Sequence, residues 1–150
     1  MPQSLAKLLV HAVFSTKNRA PAITSEIEAG LHAYMAGVFE NLESHAIQIG
    51  GVEDHVHVLF RLSKNKTLVE VIQKIKANSS FWMKKQGKAH AQFQWQAGYG
   101  AFSIGESGVQ DVTRYILDQK TRHQKMSYQD ELRKLFAAYN VEFDERYVWE

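Results

Sequence analysis

The alternation of apolar and polar residues changes its period several times along this chain. Apolar residues at every second position predict β-strands, whereas apolar residues spaced three or four apart predict amphipathic helices. The predicted strands are residues 5–15, 45–50, 55–62, 93–95 and 99–104, and the predicted helices are residues 25–40, a helix from 67, residues 107–123 and a helix from 127. This order predicts an α+β fold of the ferredoxin-like, split βαβ type, with an antiparallel sheet and additional C-terminal helices.

Helix starts and one turn are also predicted by the sequence. A serine or threonine followed three residues later by Glu or Gln is the capping-box pattern. It occurs at Ser25 with Glu28, Thr67 with Glu70, and Ser107 with Gln110. The glycines at 50–51 predict the turn of an antiparallel hairpin. In the predicted sheet the first two helices cover one face, and the other face is left open for a ligand.

A histidine pair lies on the third predicted strand. Because successive side chains of a strand point to opposite faces, the apolar residues Val56, Val58 and Phe60 share one face. His55 and His57 share the other face, close enough together to bind one divalent cation. Two polar histidines at the surface of a sheet give the same pattern, so the pair alone leaves both interpretations open.

A tyrosine and a glutamine share one face of the helix predicted over 107–123. Tyr115 and Gln119 are four residues apart, so their side chains stack on the same side of the helix. Val112 and Ile116 lie on that side too, and Tyr115 therefore also fits a core position, although a buried Gln119 needs hydrogen-bond partners. A tyrosine that attacks a metal-polarised phosphodiester forms a phosphotyrosine ester, which a DNA 3′-hydroxyl can later reverse.

Basic residues are distributed unevenly, although the formal net charge is only +2. Residues 61–88 contain eight basic side chains and one acid, whereas residues 127–150 contain three basic side chains and six acids. The basic segment is either a polyanion-binding surface or the solvated face of a helix. Its candidate contacts to DNA phosphates are Lys64, Lys66, Lys74, Lys76, Lys84 and Lys85.

Composition narrows the class of protein. A chain of 150 residues with 45% hydrophobic and 23% charged residues is most simply one folded domain. The lack of cysteine excludes disulfides and thiolate metal sites, and it favours a reducing compartment. The first residues do not resemble a signal peptide, and no apolar run approaches the length that spans a bilayer. We therefore expect a cytoplasmic protein without a membrane partner.

Several sequence runs resemble the single-tyrosine HUH transposases of bacterial insertion sequences, including the tyrosine transposases associated with repetitive extragenic palindromes (REP). The matching runs are residues 11–19, 50–57, 76–80, 95–103, 115–119 and 144–149. The resemblance implies a single HUH transposase domain over 1–150, with the histidines on a central strand. It implies that Tyr115 is the nucleophile, on a C-terminal helix from about 107. His55, His57 and Gln119 are the implied metal ligands.

The same resemblance implies a cofactor, a substrate and a partner. Members of this family bind Mg²⁺ or Mn²⁺, recognise imperfect DNA hairpins, cleave single-stranded DNA and act as homodimers. We expect this chain to cleave and rejoin single-stranded DNA with hairpin ends through a covalent 5′-phosphotyrosine intermediate.

Two alternatives remain beside the transposase interpretation. The first is a nickase of the replication-initiator or relaxase type, against which the short chain argues, because it has no room for a helicase domain. The second is a non-catalytic nucleic-acid-binding ferredoxin-like module, which would not need a candidate nucleophile together with a candidate ligand set.

Overall fold

The secondary structure forms a four-stranded antiparallel sheet with helices on both faces, and the computed structural model describes residues 2–150. The elements are β1 (Leu8–Ser15), α1 (Ser25–Asn41), β2 (Ala46–Val52), β3 (His55–Leu62), α2 (Leu68–Lys84), β4 (Gly100–Ile104), α3 (Val109–Leu117), α4 (Gln119–Arg122) and α5 (Tyr128–Ala138). The strands lie in the order β2-β3-β1-β4, and each neighbouring pair is antiparallel. The predicted α+β, ferredoxin-like split βαβ fold with additional C-terminal helices is confirmed. Among the described residues, no helix combines the length and hydrophobicity needed to cross a bilayer.

Helices α1 and α2 enclose the main hydrophobic core on one face of the sheet. Val56, Val58 and Phe60 of β3 are fully buried and point into this core, as their alternation predicts. The helices contribute buried apolar residues at helical spacing: Leu31, Met35 and Phe39 from α1, and Val71, Ile72 and Ile75 from α2. Burying one large apolar side chain contributes about 1.5–3 kcal/mol. This layer therefore fixes β3 so that its two histidines point to the opposite face.

The opposite face of the sheet is covered by the C-terminal helices. Val13 of β1 and Phe102 of β4 pack there against Tyr128, Leu132 and Phe136 of α5. Helix α3 lies against β2 and β3. The prediction of an open face is therefore wrong, because β1 and β4 present apolar residues on this side and the apolar stripe of α5 packs on them. The histidine pair lies beneath this second layer.

The predicted helix caps agree with the structure at one of three positions. At the start of α2, Glu70 N donates to Thr67 Oγ1 at 3.2 Å, and Thr67 N donates to Glu70 Oε1 at 2.7 Å. This is the predicted capping box. The boxes predicted at Ser25 and Ser107 are wrong, since the N-caps of α1 and α3 are other residues that make no side-chain capping hydrogen bond.

Three predicted elements differ in their extent. The hairpin turn occupies residues 53–54, and the glycines at 50–51, predicted to form it, lie within β2 instead. The strand predicted at 93–95 is replaced by an isolated bridge from Trp95 to Thr16. The helix predicted over 107–123 is interrupted at Asp118, where the backbone leaves the helical region (φ −92°, ψ 12°). Tyr115 therefore lies on α3, and Gln119 is the first residue of α4.

Candidate active site

Strand β3 carries His55 and His57 to the centre of the layer between the sheet and the C-terminal helices. Both side chains are completely buried. Both Nε2 atoms face the same carboxylate oxygen, Glu131 Oε1, at 3.4 Å from His55 and 3.0 Å from His57. The interpretation as surface histidines is therefore wrong, because α4 and α5 cover the strand at this point.

The Nδ1 atom of each histidine in the pair, on the side of the ring away from Glu131, contacts a second residue. His55 Nδ1 lies 2.6 Å from Asp54 Oδ1, and His57 Nδ1 lies 2.8 Å from His11 Nε2 on the neighbouring strand β1. Burial and the nearby His57 lower the pKa of His11 to about 3, so His11 is neutral at ordinary pH. His11 thus orients the His57 ring.

Helices α3 and α4 bring the tyrosine and the glutamine to the same place. The ring of Tyr115 lies 5.7 Å, between centroids, from the ring of His57. Gln119 is buried, and its Oε1 atom lies 3.2 Å from His55 Nε2. The structure therefore brings together all four of the residues predicted for the catalytic and metal sites.

Two further residues of the site are not identified by the sequence argument. Glu131 of α5 is 1% exposed, and its Oε1 atom lies 2.9 Å from Nε2 of His123. The same His123 nitrogen lies 2.9 Å from Gln119 Oε1. One usable signal exists in the sequence, because Tyr115, Gln119 and His123 recur at intervals of four residues. Glu131 gives no such signal, since it belongs to a segment rich in acids that reads as exposed.

The carboxylate of Glu131 connects the histidines to the tyrosine. Its Oε1 atom faces the three imidazoles, while its Oε2 atom accepts hydrogen bonds from the Tyr115 hydroxyl and from Gln119 Nε2, the latter at 2.9 Å. Burial opposes ionisation of Glu131, but hydrogen bonds from His123, His55 and His57 outweigh it and hold the pKa far below its usual value. The site therefore contains a permanent negative charge at its centre.

The same environment shifts the pKa values of His55 and His57 in opposite directions. For His55, burial lowers the pKa, but hydrogen bonds with Asp54 and Glu131 outweigh that effect and raise it to about 9. For His57, burial dominates and lowers the pKa to about 4. The charge of Glu131 is thus balanced mainly by His55.

Neighbouring groups shift the pKa of the Tyr115 hydroxyl in opposite directions. Burial and the charge of Glu131 raise the pKa of its hydroxyl above the usual value, whereas Arg122 acts in the other direction. The guanidinium carbon of Arg122 lies 4.1 Å from the centroid of the tyrosine ring. Arg122 is therefore placed to favour negative charge on the phenol oxygen.

The candidate DNA-binding lysines of α2 do not join this site. Helix α2 packs on the other face of the sheet, so its lysines and Lys85, the residue directly after it, are separated from the histidine pair by the sheet. The lysines of α2 are Lys74, Lys76 and Lys84. Lys76 is occupied by protein groups, because its Nζ donates to the carbonyl oxygens of Gln96 at 2.9 Å and of Gly98 at 2.6 Å.

The remaining two candidate lysines lie in the loop between β3 and α2. Lys64 Nζ donates to the carbonyl oxygen of Ser4 at 2.6 Å, and Lys66 lies two residues further along the same loop.

The donor atoms at the centre of the site are suited to a divalent metal ion. His55, His57, His123 and Glu131 each offer one nitrogen or oxygen, and these atoms all lie within 4.8 Å of one another. Imidazole and carboxylate are the ligands that transition-metal ions such as Mn²⁺ accept in proteins. The residues present therefore fit the metal requirement implied by the resemblance.

A ferredoxin-like sheet, a histidine pair on its central strand and a tyrosine on a following helix define the class of single-tyrosine HUH transposases. The chain belongs to the IS200-like transposase family, whose sequence profile matches residues 4–119. As a member of this family it is a DNA-cleaving transposase, of the kind encoded by insertion sequences. The matched segment includes the pair, Tyr115 and Gln119, and ends before His123 and Glu131.

Solved structures show the same fold at low sequence identity. A candidate transposase from Deinococcus radiodurans R1 superposes with a TM-score of 0.62 at 18% identity, covering 79% of this chain and 98% of that one. A REP-associated tyrosine transposase bound to a REP hairpin superposes with a TM-score of 0.61 at 13% identity, covering 82% of this chain and 73% of that one. Among curated proteins, none matches the chain.

Proposed function

We propose that this transposase cleaves and rejoins single-stranded DNA through a covalent 5′-phosphotyrosine intermediate formed by Tyr115. His55, His57 and Gln119 hold the divalent ion, Mg²⁺ or Mn²⁺. The observation that supports this proposal best is the convergence of the Tyr115 hydroxyl and the two imidazoles on a single buried carboxylate, that of Glu131. All of these groups come from one chain.

The proposed reaction exchanges one ester for another. The phenol oxygen of Tyr115 attacks phosphorus, the bond from phosphorus to the 3′-oxygen breaks, and the products are a tyrosine 5′-phosphodiester and a free 3′-hydroxyl. The hydrogen bond to Glu131 Oε2 orients the phenol oxygen, and Arg122 stabilises the charge that develops on it. The phenol proton is released to solvent as the bond to phosphorus forms, and the departing 3′-oxygen takes up a proton from solvent, so the step balances. A divalent ion held by His55, His57 and Gln119 would polarise the scissile phosphate. Attack by a 3′-hydroxyl on the tyrosine ester reverses the step without an external energy source.

The proposed substrate is single-stranded DNA with hairpin ends. One structural neighbour is a REP-associated transposase bound to a REP hairpin, and this chain shares its fold. Lys64, Lys66, Lys74, Lys84 and Lys85 remain proposed phosphate contacts. Lys64 is exposed and makes one backbone contact, whereas Lys76 is partly buried and its Nζ is bound by three backbone carbonyls, which gives it a structural role. A homodimer, as the resemblance implies, and the cytoplasmic location expected from the composition are also part of this proposal.

Removal of metal ions tests the proposed chemistry directly. With 5′-labelled and 3′-labelled hairpin-ended single strands as substrates, the wild-type protein is expected to give a slowly migrating protein–DNA band on denaturing gels. EDTA should abolish the band and Mg²⁺ or Mn²⁺ should restore it, because phosphate polarisation depends on the ion. Only the label 3′ of the cut should stay with protein, and peptide mapping should locate it on Tyr115.

Two results would contradict the proposal. Cleavage at the wild-type rate in EDTA would exclude the metal-dependent mechanism. Hairpin binding without any cleavage or adduct, under all metal conditions, would favour the non-catalytic binding module instead.

A glycine on β2 allows the tyrosine helix to approach the sheet. A Cβ atom added at Gly50 would lie 2.6 Å from the backbone oxygen of Ile116 and 2.8 Å from its Cγ2 atom. Ile116 is the residue after Tyr115 and is buried against the sheet. Close contact between α3 and β2 therefore requires a residue without a side chain at position 50.

A Gly50→Ala variant is expected to move α3 away from β2 and to weaken both folding and adduct formation. Overpacking of this kind typically costs about 1–3 kcal/mol, measurable as a lower urea midpoint. Gly37→Ala is the matched control, because a Cβ atom at this α1 position meets nothing within 4 Å. The control should be neutral or slightly stabilising. If the two variants have the same urea midpoint and the same adduct yield, the close contact between α3 and β2 is not needed for folding or for adduct formation.

A further inference from the structure

We infer that His123 and Glu131 are metal ligands of this site and that Glu131 links the ion to the nucleophile. In this arrangement one carboxylate oxygen faces the ion, while the other accepts the hydrogen bond of the Tyr115 hydroxyl. The inference rests on the proposed function, since it extends the ligand set of the same ion beyond the histidine pair and Gln119.

His123 is oriented in the same way as the two histidines of the pair. Its Nδ1 atom lies 2.7 Å from the carbonyl oxygen of Met126, which can only accept, so Nδ1 carries a hydrogen. Its Nε2 atom faces the acceptors Glu131 Oε1 and Gln119 Oε1 at the centre of the site, and a metal ion bound there would take the place of the hydrogen on Nε2. Metal-bound histidines in proteins show this arrangement, with the outer N–H donated to a carboxylate, a carbonyl or another acceptor.

The three histidines thus share one pattern although they come from different elements. The outer nitrogens of His55, His57 and His123 are held by Asp54, His11 and the Met126 carbonyl respectively. The inner nitrogens all point at one spot. Two of these histidines lie on β3, and the third follows α4, so the sheet and the helical layer each contribute to the same donor cluster.

Glu131 occupies the position where a carboxylate ligand is needed. Its Oε1 atom lies 2.9 Å from His123 Nε2, 3.0 Å from His57 Nε2 and 3.4 Å from His55 Nε2. The side chain is 1% exposed, which is costly for a carboxylate unless charged or donating partners surround it. A bound divalent cation supplies such a partner, and it interacts with all four donors at once.

The second carboxylate oxygen of Glu131 contacts the proposed nucleophile. Oε2 accepts from the Tyr115 hydroxyl, so a carboxylate that binds the ion through Oε1 also fixes the position of the attacking oxygen. The distance between nucleophile and ion is then set by one rigid group. Glu131 acts as a ligand and as a positioning residue for Tyr115.

The extended donor set has a consequence for metal preference. Three imidazoles with one carboxylate suit Mn²⁺, Co²⁺ or Zn²⁺, whereas Mg²⁺ prefers oxygen ligands and retains several waters. We expect Mn²⁺ to bind more tightly than Mg²⁺, and we expect loss of His123 to reduce this preference.

Direct metal binding tests the ligand assignment without reference to cleavage. Free Mn²⁺ is measured by electron paramagnetic resonance during titration of wild type, His123→Asn and Glu131→Gln. Each substitution should weaken Mn²⁺ binding by about 100-fold or more, since even residues that only support a ligand typically cost about 10–100-fold. The exposed residues His45 and Glu142 provide matched controls, His45→Asn and Glu142→Gln, which should bind as wild type does.

The number of imidazole nitrogens bound to Mn²⁺ can be measured by spectroscopy on the wild-type protein, so this measurement does not depend on whether the variants fold. Electron spin-echo modulation of Mn²⁺ bound to wild type should resolve three imidazole nitrogens, and His123→Asn should retain two. A wild-type count of two, or affinities of the two site variants within threefold of wild type, would overturn the inference.

The link between ion and nucleophile has its own measurement. Tyr115→Phe removes the hydrogen bond to Oε2 and should change Mn²⁺ affinity by about threefold or more in the wild-type background. In the Glu131→Gln background the same substitution should have a smaller effect, because the effects of substituting two directly coupled residues do not add. Equal effects in the two backgrounds would contradict the link.

Failure of this inference can be distinguished from failure of the proposed function. If adducts form on Tyr115 and depend on metal, while His123→Asn and Glu131→Gln bind Mn²⁺ normally, the proposed function holds and the extended ligand set is wrong. If Mn²⁺ binds through the four donors but no adduct forms with any metal, the proposed function is wrong.

Discussion

A Tyr115→Phe variant is expected to lose the covalent protein–DNA adduct completely while keeping its fold. The substitution removes only the phenol oxygen, which is the proposed nucleophile, so the phosphotyrosine ester at position 115 cannot form. The ring remains in place beside His57 and His11. Adduct formation is measured on denaturing gels with labelled single-stranded hairpin DNA, and the loss should reach the detection limit.

Stability should change little in the same variant. The lost hydrogen bond to Glu131 leaves that carboxylate with its histidine and glutamine partners. A typical hydrogen bond contributes about 0.5–1.5 kcal/mol net, so the urea midpoint should shift slightly and hairpin binding should persist. The binding measurement separates loss of chemistry from loss of substrate.

Tyr139→Phe is the matched control for this prediction. Tyr139 is 40% exposed and contacts the ring of Phe102 rather than the histidine pair. The control should form adducts at the wild-type rate. An adduct mapped to Tyr128, Tyr139 or any residue other than Tyr115 would show that the nucleophile has been placed wrongly.

The sequence predicted the sheet well because its strands follow simple periodicity. On β3 the alternation places Val56, Val58 and Phe60 in the core and both histidines on the opposite face, and the structure agrees. The prediction that this face is open is wrong, because the apolar side of α5 packs on it. Hydrophobic periodicity shows that a helix has an apolar side, but it does not identify the surface on which that side packs.

The candidate site was predicted only where its residues are close together in the sequence. His55 with His57 and Tyr115 with Gln119 are local pairs whose spacing shows a shared face. Glu131 lies 74 positions from His57, and only the packing of α5 on the sheet brings the two into contact. No local pattern distinguishes this buried acid from its exposed neighbour Asp130.

Lys76 is the reverse case, a residue that the sequence predicts as a DNA contact and that the structure shows bound to backbone groups. Charge alone placed it among the candidate phosphate contacts, yet its ammonium group is bound by the carbonyl oxygens of Gln96 and Gly98. Burial lowers its pKa to about 8. A basic residue on a helix can satisfy backbone groups of a distant loop, and the sequence does not show where that loop lies.

A His57→Ala variant is expected to lose metal binding and DNA cleavage together. His57 is completely buried between His11 and Glu131, so no surface residue or solvent group replaces its nitrogen at the centre of the site. A metal ion contributes several kcal/mol to stabilising a phosphoryl-transfer transition state, which corresponds to a rate loss of about 1,000-fold or more. Adduct formation and Mn²⁺ binding are measured on the same preparation.

The burial of His57 also sets the expected effect of this variant on folding. Removing the ring leaves His11 Nε2 and one interaction of Glu131 without their partner, and each buried polar group left unsatisfied costs about 1–3 kcal/mol. Stability should therefore fall measurably in urea, although hairpin binding should survive in native buffer. His45→Ala, at an exposed position, should match wild type in all three measurements. Wild-type cleavage by folded His57→Ala protein would remove the histidine pair from the proposed mechanism, because the ion would then be held without one of its two central ligands.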